Sequence, residues 1–209
     1  MVLLDDSSQR KLKSYFKDGL FAPSDKEVDS LIKVAIENFA RFSYQELGLD
    51  VDETMRAPMS VFGPRTDHQG GVDIVYKKGR DKEVRYSLVD IAVLQFTKDR
   101  LGICRCALDL MSGRMLNKTS KEYFYKDIVS ISIETESFTK TKKRAGILGE
   151  LFEMHTQKMC NIEKFVLKNS GGEDLVINIS NDETSNNNKL SEDFSNVVVA
   201  VKKLIQNKK

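Results

Sequence analysis

Apolar and polar residues alternate in short runs through the middle of the chain, which is the spacing expected of strands. Four segments between turn signals carry alternating or β-branched apolar residues: 84–88, 91–96, 101–110 and 128–133. Lys98-Asp99 and Met111-Ser112-Gly113 supply the turns after the second and third segments. The pattern predicts an antiparallel meander over residues 84–135, and the rest of the chain is arranged around it.

Strands are also predicted on both sides of the meander. Residues 72–76 alternate in the same way and turn back through residues 78–81. Two further alternating segments flank the turn Ser170-Gly171-Gly172 and predict a hairpin: 162–167 and 175–179. Residues 151–159 fit either a strand or a short helix.

Two stretches are predicted to lack regular structure. Pro58, Gly63 and Pro64 punctuate residues 49–71, which are therefore predicted to be a linker or a long loop. A loop of this length inside a compact domain is often functional. Residues 140–146 are strongly basic, and we predict that they are flexible.

Apolar residues spaced by three and four predict helices toward both ends of the chain. Ser24 and Glu27 can form a capping box, and Gly48 suits a C-cap, so the clearest helix covers residues 25–47. Its apolar stripe consists of Val28, Leu31, Ile32, Ala35, Ile36 and Phe39. We expect this stripe to pack on the sheet of the same chain, with pairing to the same helix of a second chain as the alternative.

Shorter helical patterns lie at the two termini. Leu12, Phe16 and Leu20 are spaced by four and fit one or two helical turns. A C-terminal helix is predicted from the stripe Leu190, Phe194, Val197, Val198, Val201 and Leu204. Together these elements predict an α+β fold, with an antiparallel barrel or meander of about seven strands closed by the C-terminal helix. The predicted units are an N-terminal helical segment, a linker and a β domain, covering residues 1–48, 49–71 and 72–209.

Composition and charge narrow the class of protein. The 209 residues include 33 Lys and Arg and 31 Asp and Glu, a net charge of +2. This balance argues against general nucleic-acid binding, which favours a strongly basic face. Three cysteines, an odd and sparse count, indicate a reducing compartment. The first residues lack the pattern of a signal peptide, and no apolar run approaches the ~20 residues that span a bilayer, so we expect a cytoplasmic protein.

Three features follow one another along the chain: the segment Tyr123-Phe124-Tyr125-Lys126-Asp127-Ile128-Val129-Ser130-Ile131, the 165–179 hairpin and the 190–205 helix. Together they resemble a pleckstrin-homology-like barrel domain of the bacterial or GRAM type. The resemblance covers about residues 72–206. It implies a binding scaffold for lipids or proteins, which is rarely an enzyme. The 25–47 helix and the excursion at 138–160 depart from the usual pattern of that family.

The best candidate for interaction with a ligand is the basic run Lys140, Lys142, Lys143 and Arg144. In the resembled fold, basic loops between strands meet anionic phosphate headgroups. Near an anionic leaflet, each such cation contributes about 1 kcal/mol. The competing interpretation is a solvated flexible loop, which is the usual role of a short charge run.

A second candidate is the polar cluster at residues 65–71, which contains Arg65, Asp67 and His68. An Asp-His pair can orient a general base, but a base needs a nucleophile or a substrate to act on. The chain has no G-x-S-x-G, H-E-x-x-H or G-x-x-x-x-G-K-[ST] motif. We therefore retain Arg65 and His68 as candidate ligand-binding residues and assign no catalytic residue.

The cysteines are weak candidates for a metal site. Cys104 and Cys106 alternate on one strand and so face the same side. Tetrahedral zinc needs four ligands, and Cys160, His68 and His155 lack the usual paired spacing. We predict that Cys104 and Cys106 are buried thiols, with no metal and no cofactor.

These observations favour a non-enzymatic, cytoplasmic binding or regulatory module that acts through protein–protein contacts, with a protein partner or a second copy of itself. One alternative is a peripheral binder of anionic lipid headgroups through residues 140–144. A second alternative is a small enzyme centred on residues 65–71.

Overall fold

The computed structural model describes residues 3–19, 21–65, 74–143, 155–172, 174–181 and 198–206. In these ranges the side chains of 137–143, 155–162, 180 and 181 are not described. The fold is α+β, with helices covering antiparallel sheets, as predicted. None of the helices in the described part of the chain is long and apolar enough to cross a membrane.

Two α-helices and a short 3₁₀ helix form the N-terminal part: α1 Asp6–Phe16, α2 Asp25–Leu47 and Val51–Glu53. The Ser24 hydroxyl caps α2 by accepting a hydrogen bond from the Glu27 amide at 3.3 Å. Gly48 ends the helix in the left-handed conformation, with φ of 61°, which favours a residue without a Cβ atom. The predicted bounds 25–47 are confirmed.

Nine strands are described: β1 Met59–Pro64, β2 Tyr76–Lys78, β3 Val84–Tyr86, β4 Leu88–Phe96, β5 Arg100–Asp109, β6 Arg114–Phe124, β7 Ile128–Lys143, β8 His155–Asn169 and β9 Leu175–Asn181. They form a four-stranded sheet in the order β1-β4-β5-β6, a β2-β3 hairpin and a three-stranded sheet in the order β7-β8-β9. All pairs are antiparallel. No closed barrel is found among these strands, so the barrel stays a prediction.

The strands β4 and β5 of the four-stranded sheet are buried on both faces. One face of β4 presents Ile91 and Val93 to α1 and α2, in a cluster that we call the outer cluster. The other face presents Ala92 and Leu94 to the three-stranded sheet, in the inner cluster. The predicted packing of the N-terminal helices on the sheet of their own chain is therefore confirmed.

The C-terminal helix also joins the core. Residues 198–206 are helical, and Val198 and Val201 are buried in the inner cluster. The predicted stripe is confirmed at these two positions, while Leu190, Phe194 and Val197 lie outside the described residues. Leu12 and Phe16 are buried in α1, and Leu20 is outside the described part of the chain.

The stretch 49–71, predicted to be a linker or long loop, contains β1, so the prediction is wrong for Met59–Pro64. The glycine and proline that suggested a loop have other roles. A Cβ atom at Gly63 would overlap the carbonyl oxygen of Asn178, so glycine permits β1 to approach β9 closely. Pro64 ends a strand at the edge of the sheet, where a missing N–H is tolerated.

Two other differences concern strands. β6 was not predicted, because most of its side chains are exposed and it lacks an apolar alternation. The basic stretch 140–146 was predicted to be flexible, but β7 extends to Lys143, so that prediction is wrong for residues 140–143. The cross-strand partners of β8 continue the ladder across this stretch.

Candidate functional site

The structure places Arg65 in a buried ion group between the two larger sheets. Its Nη1 lies 3.0 Å from Asp90 Oδ1, and Arg105 Nη2 lies 3.3 Å from Asp90 Oδ2. Arg65 and Asp90 are only 7% and 5% exposed. Because burying an ion without a partner costs several kcal/mol, the two guanidinium groups and the carboxylate stabilise one another in this position.

The strands determine how this group forms. Arg65 directly follows β1, and its backbone N–H donates to the Leu88 carbonyl at 3.2 Å. Asp90 lies on β4 on the same side as Ala92, and Arg105 lies opposite Ala92 on β5. The Arg65 side chain therefore points between the sheets. His68, the other candidate of the 65–71 cluster, lies outside the described residues.

A second charged group was not predicted from the sequence. Arg85 is 7% exposed, and its guanidinium donates to two carboxylates. Nε lies 2.7 Å from Asp29 Oδ1, and Nη2 lies 2.6 Å from Asp81 Oδ2. Asp25 lies 4.0 Å from Nη1, and its Oδ1 accepts a hydrogen bond from the Tyr15 hydroxyl at 2.7 Å. We call these five residues the Arg85 group.

Each member of the Arg85 group stabilises the charge state of its neighbours. The hydrogen bond from the Tyr15 hydroxyl lowers the pKa of Asp25, with help from the Arg80 backbone amide. The hydrogen bond from Arg85 lowers the pKa of Asp81. Burial, followed by the bond to Asp25, raises the pKa of Tyr15 to about 12. Burial opposes the charge of Arg85, but the hydrogen bonds to its carboxylate partners outweigh burial and raise its pKa.

The Arg85 group holds the β2-β3 hairpin against the helices. The backbone amide of Arg80, in the turn of that hairpin, donates to Asp25 Oδ2 at 2.7 Å. Lys77 on β2 donates to the Tyr15 carbonyl at 2.9 Å and to Asp18 at 2.7 Å. The arrangement satisfies its own charges, and we assign it a structural role.

Cys104 and Cys106 are fully buried in the outer cluster, as predicted. Burial raises the pKa of their thiols to about 11 and about 12, so both are protonated and poor nucleophiles at neutral pH. Among the residues whose side chains are described, no three His, Cys, Asp or Glu are grouped so that they could hold a metal ion.

The basic candidates lie far along β7. Lys140, Lys142 and Lys143 belong to this strand, while Arg144 lies outside the described residues. The register sets Lys140 opposite Lys158 of β8. Among the described residues, the pairing of β9 with β8 extends to Ile162, and residues 137–143 and 155–161 pair with each other alone; we call this pair of segments the hairpin arm.

Apolar side chains are exposed where β6 leads into β7. Phe124 is 51% exposed and Val129 is 63% exposed. Along β7, Ile131 is 4% exposed but Ile133 is 38% exposed, so the inner cluster stops covering the strand between these two residues. The described side chains that follow on β7, those of Glu134, Thr135 and Glu136, are exposed.

The outer face of the β7-β9 sheet has a shallow depression of about 360 Å³. Its charged lining contains Glu134, Glu136, Lys164, Lys168 and Asp174. Glu136 and Lys164 pair with each other across it. Acids and lysines are nearly balanced here, and the depression has no convergent set of one charge.

Comparison with protein-family models, with curated proteins and with solved structures gives no match. The site has to be interpreted from its own chemistry. Arg65 and Arg85 are engaged in ion groups inside the fold, and the basic candidates Lys140, Lys142 and Lys143 lie on β7 in the hairpin arm.

Proposed function

We propose that this chain is a non-enzymatic binding module of the pleckstrin-homology-like kind, which acts through protein contacts. The arrangement of the core supports the proposal. A four-stranded and a three-stranded antiparallel sheet enclose the inner cluster, to which a C-terminal helix contributes Val198 and Val201. These features agree with the resemblance of residues 72–206 to that family.

The observation that carries the proposal is a contrast in exposure: buried charged side chains are paired within the fold, whereas two apolar side chains are exposed to solvent. Arg65 and Arg85 are both 7% exposed and are paired with carboxylates. Phe124 and Val129, by contrast, lie in solvent on either side of the turn between β6 and β7. Aromatic and aliphatic side chains of this kind are typical of the centres of protein interfaces.

A site-specific photo-crosslinker tests this function. Placed at Val129, a benzophenone side chain should give covalent adducts with a protein in the native cell, because this position faces the proposed partner. The matched control places it at Val34, which is 45% exposed on α2. Equal adduct patterns from both positions, or none from Val129, would contradict the proposal.

Anionic lipid binding is the second candidate, and the register of the hairpin arm favours it. Lys140 lies opposite Lys158, and Lys142 and Lys143 follow on the same strand. Like charges at directly opposite positions repel, and an anionic surface would relieve that repulsion.

Vesicle flotation separates this candidate from protein binding. The chain should float with vesicles that contain phosphatidylserine and not with pure phosphatidylcholine vesicles. Replacing Lys140, Lys142 and Lys143 by Glu should abolish flotation. The control replaces three exposed lysines elsewhere, Lys26, Lys82 and Lys98, by Glu. If both triple variants lose flotation equally, net charge and not the arm is responsible.

The enzyme centred on residues 65–71 gains no such support. Arg65 is engaged with Asp90, and residues 66–71 lie outside the described part of the chain.

A further inference from the structure

Two strands of the larger sheets have an open edge. β6 pairs only with β5, and β7 pairs only with β8, among the strands that the structure describes. An edge strand presents a row of unpaired N–H and C=O groups that can pair with another chain. Natural proteins therefore protect such edges with bulges, with lysines or by keeping the strand short.

The edge of β6 carries these protections. Its pairing with β5 is interrupted between Arg105 and Ala107, and Asn117 adopts a positive φ of 50°. Lys118 and Lys121 lie on the strand next to this irregularity. A partner strand would not find a regular ladder there.

The edge of β7 is long and regular. The strand has 16 residues, and its pairing with β8 continues from Ser130 to Lys143 without a further interruption. It contains neither proline nor glycine, and its three lysines, Lys140, Lys142 and Lys143, are accompanied on the same strand by Glu134 and Glu136, which can pair with lysines of a second strand. The register of this strand with a partner is therefore set by its side chains.

The sequence of β7 is complementary to itself when it is read in the opposite direction. The complementary part is the second half of the strand, Glu-Thr-Glu-Ser-Phe-Thr-Lys-Thr-Lys, residues 134–142. Antiparallel pairing centred on Phe138 places Glu136 opposite Lys140 and Glu134 opposite Lys142. It also places Thr135 opposite Thr141 and Ser137 opposite Thr139, so every position meets a compatible one.

Several other alignments of two such strands are less favourable. A parallel arrangement in register would place glutamate on glutamate and lysine on lysine. Antiparallel pairing centred on Thr139 still places Glu136 opposite Lys142, but it places Phe138 opposite Lys140 and leaves Thr135 opposite Lys143. Cross-strand pairs of opposite charge stabilise a sheet and pairs of like charge destabilise it, so the number of opposite-charge pairs favours the arrangement centred on Phe138 over these two.

We infer that the open edge of β7 binds the β7 edge of a second copy of this chain, antiparallel and centred on Phe138. The two three-stranded sheets then join into one continuous sheet of six strands across a two-fold axis. Lys140, which lies opposite Lys158 within its own hairpin, gains Glu136 of the second copy on its other side. The inference rests on the proposed function, since it names the protein that this module contacts.

A charge-swap experiment tests the pairing. Sedimentation should show a dimer of the full chain. The variants Glu134→Lys/Glu136→Lys and Lys140→Glu/Lys142→Glu should each weaken dimerisation by at least about tenfold, because each makes both facing strands carry one charge. Mixing the two variants should restore a dimer that contains one copy of each. Circular dichroism checks that each variant is folded.

A disulfide provides a second measurement that does not depend on charge. Directly opposed residues of an antiparallel pair have Cα atoms about 4.5–5.5 Å apart, within the range of a disulfide. Phe138→Cys should therefore form a cross-linked dimer on oxidation. Cys160 lies opposite Phe138 within the hairpin, so Cys160→Ser is included in the background. The matched control is Thr119→Cys on the protected edge β6, in the same background, because Thr119 is exposed and lies opposite Arg105 and not opposite a cysteine.

A monomeric wild-type chain would overturn the inference, as would a dimer that both charge variants leave unchanged or a cross-link equally strong at Thr119→Cys. These results differ from failure of the proposed function. A monomer that still forms adducts with another protein through Val129 would refute self-pairing and leave the binding module in place.

Discussion

The two faces of the four-stranded sheet are covered by different elements. On the helical side, α1 and α2 cover the outer cluster, and the Arg85 group pairs charges from the helices with charges from the β2-β3 hairpin. On the other side, the inner cluster ends while β7 and β8 continue past it as the hairpin arm. Both sides pair charges inside the fold, since Arg65, Asp90 and Arg105 do so on the second side, but the second side also extends into a long strand pair with a basic end. This difference supports the proposal that the second side meets a partner.

The largest expected effect comes from the inner cluster. Val201 is fully buried there, so Val201→Asp would place a carboxylate in an apolar interface and should cost about 4 kcal/mol of unfolding free energy. Urea denaturation measures this loss. Val199 lies on the same helix and is 49% exposed, so Val199→Asp should cost less than about 1 kcal/mol. Equal losses would show that the helix does not pack on the sheets as described.

Asp90→Ala should have the next largest effect. It leaves the buried guanidinium of Arg65 without its carboxylate, and we expect a loss of about 3 kcal/mol in unfolding free energy. Thermal denaturation of the Asp90→Ala/Arg65→Met double variant is the control. The double variant should recover part of the loss, because the buried guanidinium of Arg65 is then removed together with its carboxylate partner, although Arg105 still lacks Asp90. Additive losses would argue against coupling between the two residues.

Acid should weaken the Arg85 group. The pKa values of Asp25 and Asp81 in the folded chain are held below the ordinary value of 3.8, so their contribution to stability is complete above that value and is lost as the pH falls through the lowered pKa values. The denaturation midpoint should decrease as the pH is lowered from about 5 to about 2. Asp25→Asn should show a shallower fall than the wild type. An unchanged slope would exclude Asp25 from the acid response.

The smallest effect is expected for an ion pair at the surface. Arg100 and Glu122 are 3.0 Å apart, and about a third of each side chain is exposed. Glu122→Ala should cost about 0.5 kcal/mol or less, since solvent screens such pairs. Chemical denaturation at low and high salt measures the difference. A loss as large as that of Asp90→Ala would remove the distinction between buried and exposed pairs.

Local signals made part of the fold predictable. The bounds of α2 follow from Ser24 and Gly48, which act within a few residues of the helix ends. The C-terminal hairpin follows from the turn Ser170-Gly171-Gly172 between two alternating segments, and β8 and β9 confirm it. In these cases the residues that determine an element lie beside it in the sequence.

The remainder depends on contacts between distant residues. Arg65 and Asp90 are 25 positions apart, and Arg85 and Asp29 are 56 positions apart, so no local pattern identifies either ion group. A glycine in the sequence is compatible with a loop and with a close approach of two strands. For Gly63, only the position of β9 distinguishes these two roles. Most side chains of β6 are exposed, and most of its residues are polar. Its sequence therefore lacks the alternation of apolar and polar residues that identifies a strand.

The close approach at Gly63 has a mechanical consequence. β7 is 16 residues long, about 53 Å at ~3.3 Å per residue, and only its first part rests on the core. A force applied at the far end of the hairpin passes through the β8-β9 ladder to the backbone of β9, which touches the backbone of β1 at Gly63. A larger residue at position 63 would push the backbones of β1 and β9 apart, because its Cβ atom would overlap the Asn178 carbonyl oxygen. The contact between the three-stranded sheet and the sheet under the helices would then be lost at this point.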